Sequence, residues 1–255
     1  MEDPFNITAP IPRRTMTMFY LVDTSGSMCG AKISALNTAV RESLPLVKDI
    51  SKNNSDSMVK IPALEFSSSA VWMYPVPEDV DSFEWRDLQA GGMTALGAAY
   101  DELNKQLSAS HGFMSEAKGS FAPVILLFSD GAPTDCTESA LDKLKRNNWF
   151  RYATKIAIAI GDDCIKSTLI DFTGSDEAVL TVHNVDDLKK IIRLVSVTTA
   201  MVGTKTTSVG QGSESKQNEA TTAINSAKNA DPSKFGKIDV GLSSQNKGTD
   251  NWTGW

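Results

Sequence analysis

The stretch MTMFYLVD, residues 16–23, sets the first constraint on the fold. Six of its first seven residues are apolar, and the run ends in a carboxylate. A strand with one face in water alternates apolar and polar side chains. A continuous apolar run is expected where both faces are covered, as in a parallel sheet between layers of helices. The pattern returns in APVILLFSD (122–130), in KIAIAIG (155–161) and, shorter, in EAVLTV (177–182). Between these runs apolar residues recur at spacings of three and four: Ile33, Leu36, Val40, Leu44 and Val47, then Leu96, Tyr100, Leu103 and Leu107. The segment VDDLKKIIRLVSVTTAMV (185–202) is a further amphipathic helix. Strands alternating with helices predict an α/β fold, a doubly wound, mostly parallel sheet with helices on both faces. VKIPALEF (59–66) and AVWMYPV (70–76) read as a hairpin, and their prolines assign it to a sheet margin, giving one antiparallel edge strand. Pro45 predicts a kink or an early stop in the first helix. Asp135 and Glu138 read as the cap and reciprocal acid of a helix reaching about Asn148.

Three segments follow from this reading. Residues 1–15 form an N-terminal arm, 16–202 the folded domain and 203–255 a flexible polar tail. In the tail Ser, Thr, Asn, Gln, Gly and Lys dominate, and such a composition buries too little apolar area to offset its ordering entropy. FGKIDVGL (235–242), with weak alternation, and DNWTGW (250–255), with Trp252 and Trp255, are either docking motifs or stray apolar residues. The net charge of −6 lacks the basic footprint of a nucleic-acid binder. The acidic start has no signal-peptide pattern, and no run approaches 18 apolar residues, so no membrane span is expected. Cys29, Cys136 and Cys164 are odd in number and far apart, which suits reduced thiols in a cytoplasmic protein.

The strand ends carry the chemistry. DTSGS places Asp23, Ser25 and Ser27 after the first strand, and Asp130 follows VILLFS. Thr94 comes after Gly91 and Gly92, at the mouth of a helix. In open α/β sheets, ligands bind outside the carboxyl ends of the strands, where strand order reverses. If the first strand and VILLFS are neighbours, all five side chains converge. Every donor is an oxygen, which selects a hard cation such as Mg²⁺. Taken singly, each residue has a plainer role: Ser25 and Ser27 as turn hydroxyls, Thr94 as a helix cap, Asp130 as half of an Asp-Gly turn. The joint pattern favours a metal. Asp162 and Asp163 read as turn and cap residues, His111 and His183 as solvent-facing, and Trp72, Trp85 and Trp149 as packing.

DTSGS, Thr94 in GGMT and Asp130 in SDG together resemble the metal-ion-dependent adhesion site of the von Willebrand factor type A domain. The resemblance spans about residues 16–202. RRTMTMFYLVDTSGSM, LEFSS, WRDLQAGGMT, SDGAPTD, KLKRNNWF and IAIGDD are similar to bacterial cytosolic type A proteins associated with tellurium resistance. It implies Mg²⁺, or Mn²⁺ or Ca²⁺, bound directly by Ser25 and Ser27. Thr94 would bind in the ligand-engaged state, and Asp23 and Asp130 would act largely through water, or one of them directly. With few direct carboxylates the ion keeps excess positive character and favours an Asp or Glu carboxylate of a protein partner. For the cytosolic relatives that partner is implied to be a protein kinase or phosphatase. The expected function is therefore a binding module and not an enzyme. A Mg²⁺-dependent phosphotransferase or phosphatase using Asp23 as nucleophile is the alternative, but Ser25 stands where that chemistry wants a second Asp as general acid. No P-loop pattern occurs, and two histidines away from these strand ends make a Ser-His-Asp triad a poor reading.

Overall fold

The computed structural model describes residues 13–108, 110–115, 120–161, 164–205, 213–235 and 238–241. In chain order the elements are β1 (Arg14–Asp23), α1 (Ala31–Lys52), β2 (Ser57–Ile61), β3 (Ala63–Phe66), β4 (Ala70–Trp72), β5 (Glu78–Asp79), α2 (Leu96–Gln106) and β6 (Val124–Ser129). Then come α3 (Glu138–Lys145), α4 (Asn148–Tyr152), β7 (Thr154–Ile160), α5 (Lys166–Thr173), β8 (Val179–Val182), α6 (Val185–Gly203), α7 (Ser213–Ala230), α8 (Pro232–Phe235) and β9 (Asp239–Val240). The main sheet runs in the order β4-β3-β1-β6-β7-β8-β9. The five central strands are parallel, while β4 and β9 are antiparallel at the two margins. The expectation of one antiparallel edge is thus short of the outcome. The second edge, β9, is contributed by the segment expected to be tail. Pro62 explains another difference: it divides VKIPALEF into β2 and β3, which pair in succession with the first and second halves of β1. A third antiparallel strand, β5, adds to β2.

The apolar runs are buried on both faces. From β1, Met16, Met18, Tyr20 and Val22 join Leu36, Val40 and Val47 of α1 and Leu188, Ile192 and Val195 of α6 in one core. Phe19 and Leu21 point the other way, toward Tyr100 and Leu103 of α2, Leu144 of α3 and Phe172 of α5. This is the period-two alternation of a strand covered on both sides. Pro45 lies inside α1 without ending it. The tryptophans pack as read: Trp85 Nε1 donates to Asn37 Oδ1 and Trp72 Nε1 to Glu102 Oε1, both at 2.9 Å.

Two expectations meet a different structure. Arg14 and Thr15, assigned to the arm, already belong to β1 and pair with Ser57 and Met58. Residues 213–235 and 238–241, assigned to the tail, contribute two helices and an edge strand, with Ile224 and Ile238 buried against the α6 core. The apolar content is as low as the composition says, but polar side chains add to it. Lys216 Nζ donates to the carbonyls of Gly203 and Lys205, both at 2.9 Å, and so satisfies groups that the end of α6 leaves open. The Gln217 amide accepts from Lys155 N at 2.6 Å and donates to Lys155 O at 2.8 Å, completing β7 as a neighbouring strand would. The DNWTGW motif, Asp162 and Asp163 lie outside the described residues.

Candidate metal centre

β1 and β6 are parallel neighbours, with Val22 opposite Phe128, so Asp23 and Ser129 emerge side by side. The chain runs from β1 to β2 and β3 on one side and returns to β6 on the other, which makes the β1/β6 boundary the point where strand order reverses. Asp23 is fully buried, and both its oxygens are engaged: Oδ1 accepts from Ser25 N at 2.8 Å and Oδ2 from Ser129 Oγ at 2.7 Å. The loop then makes a single 3₁₀ turn, Gly26–Met28, anchored by the buried Met28. Gly26 supports no left-handed turn; around these loops the positive φ angles fall at Gly30 and Gly92.

Two backbone hydrogen bonds join this loop to the segment carrying Thr94: Gly91 N to Thr24 O at 2.7 Å, and Gly26 N to Gly92 O at 3.0 Å. At Gly92 φ is +84°, and a Cβ there would come within 2.7 Å of Ser68 Oγ, so the approach requires glycine. Thr94 is held from the other side by Thr134, which accepts from Thr94 N at 3.1 Å and donates its own N–H to Thr94 O at 2.9 Å. Ala95, not Thr94, stands at the N-cap of α2. The first-turn amides of Gly97 and Ala98 donate instead to Asp135 Oδ1 and Oδ2, both at 3.0 Å. The reading of Asp135 as the cap of α3 is therefore corrected. Its carboxylate serves α2, and Thr137 precedes α3 without a side-chain cap bond.

These contacts bring the five expected residues together. Ser25 Oγ and Ser27 Oγ are 3.0 Å apart, and Ser27 Oγ donates to Asp130 Oδ1 at 2.7 Å. A Cβ placed on Gly131 would lie 3.4 Å from Ser27 Oγ and 3.5 Å from Thr94 Oγ1. Gly131 thus keeps open a small cradle flanked by both hydroxyls. Ser25, Thr94 and Asp130 are buried, and Ser27 is exposed at the rim.

Electrostatics favour a cation here. Burial pushes the Asp23 carboxyl above the usual range. The nearby Asp130 charge pushes the same way, and hydrogen bonds from Ser25 and Ser129 offset part of the rise. Two buried carboxylates call for positive charge, and the structure supplies some. Lys32, in the first turn of α1, places Nζ 2.7 Å from Asp130 Oδ2. Sequence reasoning missed Lys32 and Ser129. Ser129 was available as the position across from Asp23, one residue before Asp130. Lys32 had only its closeness to Ser27 to mark it.

Among the described residues no group of three or more His, Cys, Asp or Glu side chains is placed to hold a metal ion. A cation at these strand ends therefore depends on hydroxyls, and the donor set fits a hard ion: three hydroxyls and two carboxylates, with a cradle beside two of the hydroxyls. The histidines lie elsewhere. His111 Nδ1 is 2.7 Å from Ser110 Oγ, and His183, expected to face solvent, is partly buried with Nε2 2.9 Å from Asp239 Oδ2.

Among known proteins, the chain is 31% identical over 148 residues to the human collagen alpha-6(VI) chain, a match covering 56% of this chain and 6% of that one. No family model matches. Solved structures are similar at lower identity. A von Willebrand factor type A protein from Catenulispora acidiphila superposes with a TM-score of 0.54 at 17% identity, over 74% of this chain and 43% of that one. The ArnB paralog VWA2 from Sulfolobus acidocaldarius gives 0.51 at 18% identity, over 71% and 45%. Proximal thread matrix protein 1 from the mussel byssus, with a zinc-occupied MIDAS motif, gives 0.56 at 19% identity, over 74% and 48%. This chain thus spans less than half of each of those structures and a small fraction of the collagen chain. The mostly parallel sheet, its antiparallel margins and the helices on both faces are those of the von Willebrand factor type A fold.

Proposed function

We propose that this chain is a metal-dependent protein-binding module. Asp23, Ser25, Ser27, Thr94 and Asp130 would hold Mg²⁺, with Mn²⁺ and Ca²⁺ as alternatives, and a carboxylate of a partner's Asp or Glu would complete the site. The observation that carries the reading is the cradle at Gly131, where Ser27 and Thr94 hydroxyls from separate loops meet beside Asp130. The zinc-occupied site of the mussel protein supports a divalent ion on this fold. When bound, the ion supplies an electrophilic centre for an incoming carboxylate. The chain's own residues position and neutralise. Ser25 N and Ser129 fix Asp23, Ser27 fixes Asp130, and the backbone bonds at Gly91 and Gly26 keep Thr94 in reach.

A binding role suits these contacts better than a phosphotransferase using Asp23. Both oxygens of that carboxylate are engaged and it is fully buried, which blunts a nucleophile. The bacterial stress or tellurium-resistance setting, the cytoplasmic location and a kinase or phosphatase partner rest on the sequence resemblance. No helix among the described residues is long and apolar enough to cross a membrane.

The test is thermal unfolding with and without divalent ion. An ion at about 100 times its Kd adds about 2.7 kcal/mol to the folded state, a rise of roughly 5–10 °C for a chain this size. Asp23→Asn keeps an acceptor for Ser25 N and removes the charge, so it should fold and lose the rise. Absence of any rise in the wild-type chain at millimolar Mg²⁺ or Mn²⁺ overturns the reading.

A further inference from the structure

We propose that Lys32 is a tethered counter-cation that weakens divalent-ion binding at this site, because the ion must compete with its ammonium for Asp130. The inference rests on the metal-site reading above and adds a residue that the five-donor pattern does not contain. Lys32 lies five positions beyond Ser27, in the first turn of α1. Its Nζ is 2.7 Å from Asp130 Oδ2, while Ser27 Oγ donates to Asp130 Oδ1 at 2.7 Å. Both oxygens of Asp130 are therefore engaged by protein groups. The Asp130 side chain is 0% exposed and that of Lys32 18%, so the ion pair spans the edge between core and solvent.

Three consequences follow from charge and reach. First, a buried carboxylate without a cation is costly, and the ammonium offsets the Asp130 charge. Second, a dication among the same oxygens stands close to that ammonium in a medium of reduced dielectric, where like charges repel strongly. Binding must then turn Lys32 outward or bear the repulsion, and either lowers affinity. Third, the lysine stem is long and the side chain is already partly exposed, so an outward turn would rehydrate the ammonium without disturbing α1. The site would exchange one internal positive charge for a divalent one, which disfavours weakly bound monovalent ions.

The experiment titrates Mn²⁺ into the full chain by calorimetry and compares wild type with Lys32→Met, Lys32→Gln and Lys32→Arg. Lys32→Met keeps most of the stem and removes the charge. Lys32→Gln also keeps a neutral donor toward Asp130, which guards against failure to fold. Both should bind Mn²⁺ about tenfold tighter or more, and Lys32→Arg should stay within about threefold of wild type. In EDTA the two neutral variants should melt below wild type, and saturating Mn²⁺ should reverse that order. Wild-type binding with equal or weaker binding in both neutral variants overturns this inference and leaves the metal reading standing. No binding by any of the four proteins overturns both. Wild-type binding with binding at least about tenfold tighter in both neutral variants supports it.

Discussion

At the carboxyl ends of β1 and β6, hydroxyls and carboxylates from three loops point at one another. In the C-terminal segment, Lys216, Gln217 and Lys228 point at backbone: Gly203 and Lys205, both polar groups of Lys155, and the Ile238 carbonyl. The residue types overlap and the outcomes differ. Polar groups in the C-terminal segment are matched by backbone groups that a helix end or strand margin leaves open. At the strand ends, two carboxylates are buried together with one lysine ammonium beside them. The first arrangement fastens chain to chain. The second calls for further positive charge. The comparison separates stability from ion binding, and variants can break it in either direction.

The largest effect should come from removing the chain after Lys205. The deletion takes away Ile224 and Ile238 from the α6 core, together with the Lys216 and Gln217 bonds. A loss of about 4–6 kcal/mol is expected, roughly 10–20 °C in Tm. The Mn²⁺-induced rise should survive, since among the described residues none of those deleted hydrogen-bonds to the five donors. An unchanged melting curve would restore the flexible-tail reading. Ile224→Ala should reproduce part of the loss, about 2–4 kcal/mol by chemical denaturation.

The same comparison explains what the sequence could disclose. The metal pattern is legible because its donors lie beside strands whose apolar runs are unmistakable: DTSGS after MTMFYLV, and Asp130 after VILLFS. Strand pairing then does what local sequence cannot, bringing Asp23 and Ser129 alongside across 106 positions. The C-terminal helix was illegible because composition averages over it. SESKQNEATTAINSAKNA holds one large apolar residue, Ile224, with Ala220 four positions earlier on the same face. Attachment at that spacing becomes visible only beside a core with a space for it. The alternation in FGKIDVGL was the better clue, since Ile238 is buried and Asp239 and Val240 pair with Thr181 and Leu180. Asp135 was misassigned because the capping rule looks three residues ahead, while its actual partners, Gly97 and Ala98, lie 38 and 37 positions back.

Gly131→Ala probes the opposite side of the comparison. The added methyl would sit at ordinary contact distance from Ser27 Oγ and Thr94 Oγ1, and Gly131 is not among the positive-φ glycines. Stability in EDTA should change by less than about 1 kcal/mol. The methyl would occupy the space between the two hydroxyls, so the Mn²⁺-induced rise should be lost. Retention of the full rise in Gly131→Ala would mean that ion binding does not depend on this cradle.

The smallest effect is a pH dependence of the C-terminal attachment. Burial, and next the neighbouring Arg14, lower the Lys216 ammonium to about 8 from its usual 10.5. Between those values the unfolded chain holds the proton more firmly than the folded one, so the Lys216 contribution rises as pH climbs from about 8 toward 10.5. Cys164 and Tyr20 act in the opposite sense. Burial pushes both up to about 12, so their contribution is lost as pH rises above their ordinary values. A melting curve of the wild type alone therefore mixes the two trends. Comparison with Lys216→Met at each pH cancels the Cys164 and Tyr20 terms, and the wild-type advantage should grow with pH by about 1–2 °C. Bonds from the ammonium to the Gly203 and Lys205 carbonyls oppose the effect of burial and keep the change small. A wild-type advantage that shrinks over the same range would mean that the carbonyls of Gly203 and Lys205 hold the ammonium charged more strongly than burial opposes it, and that Lys216 fastens α7 to α6 as a cation.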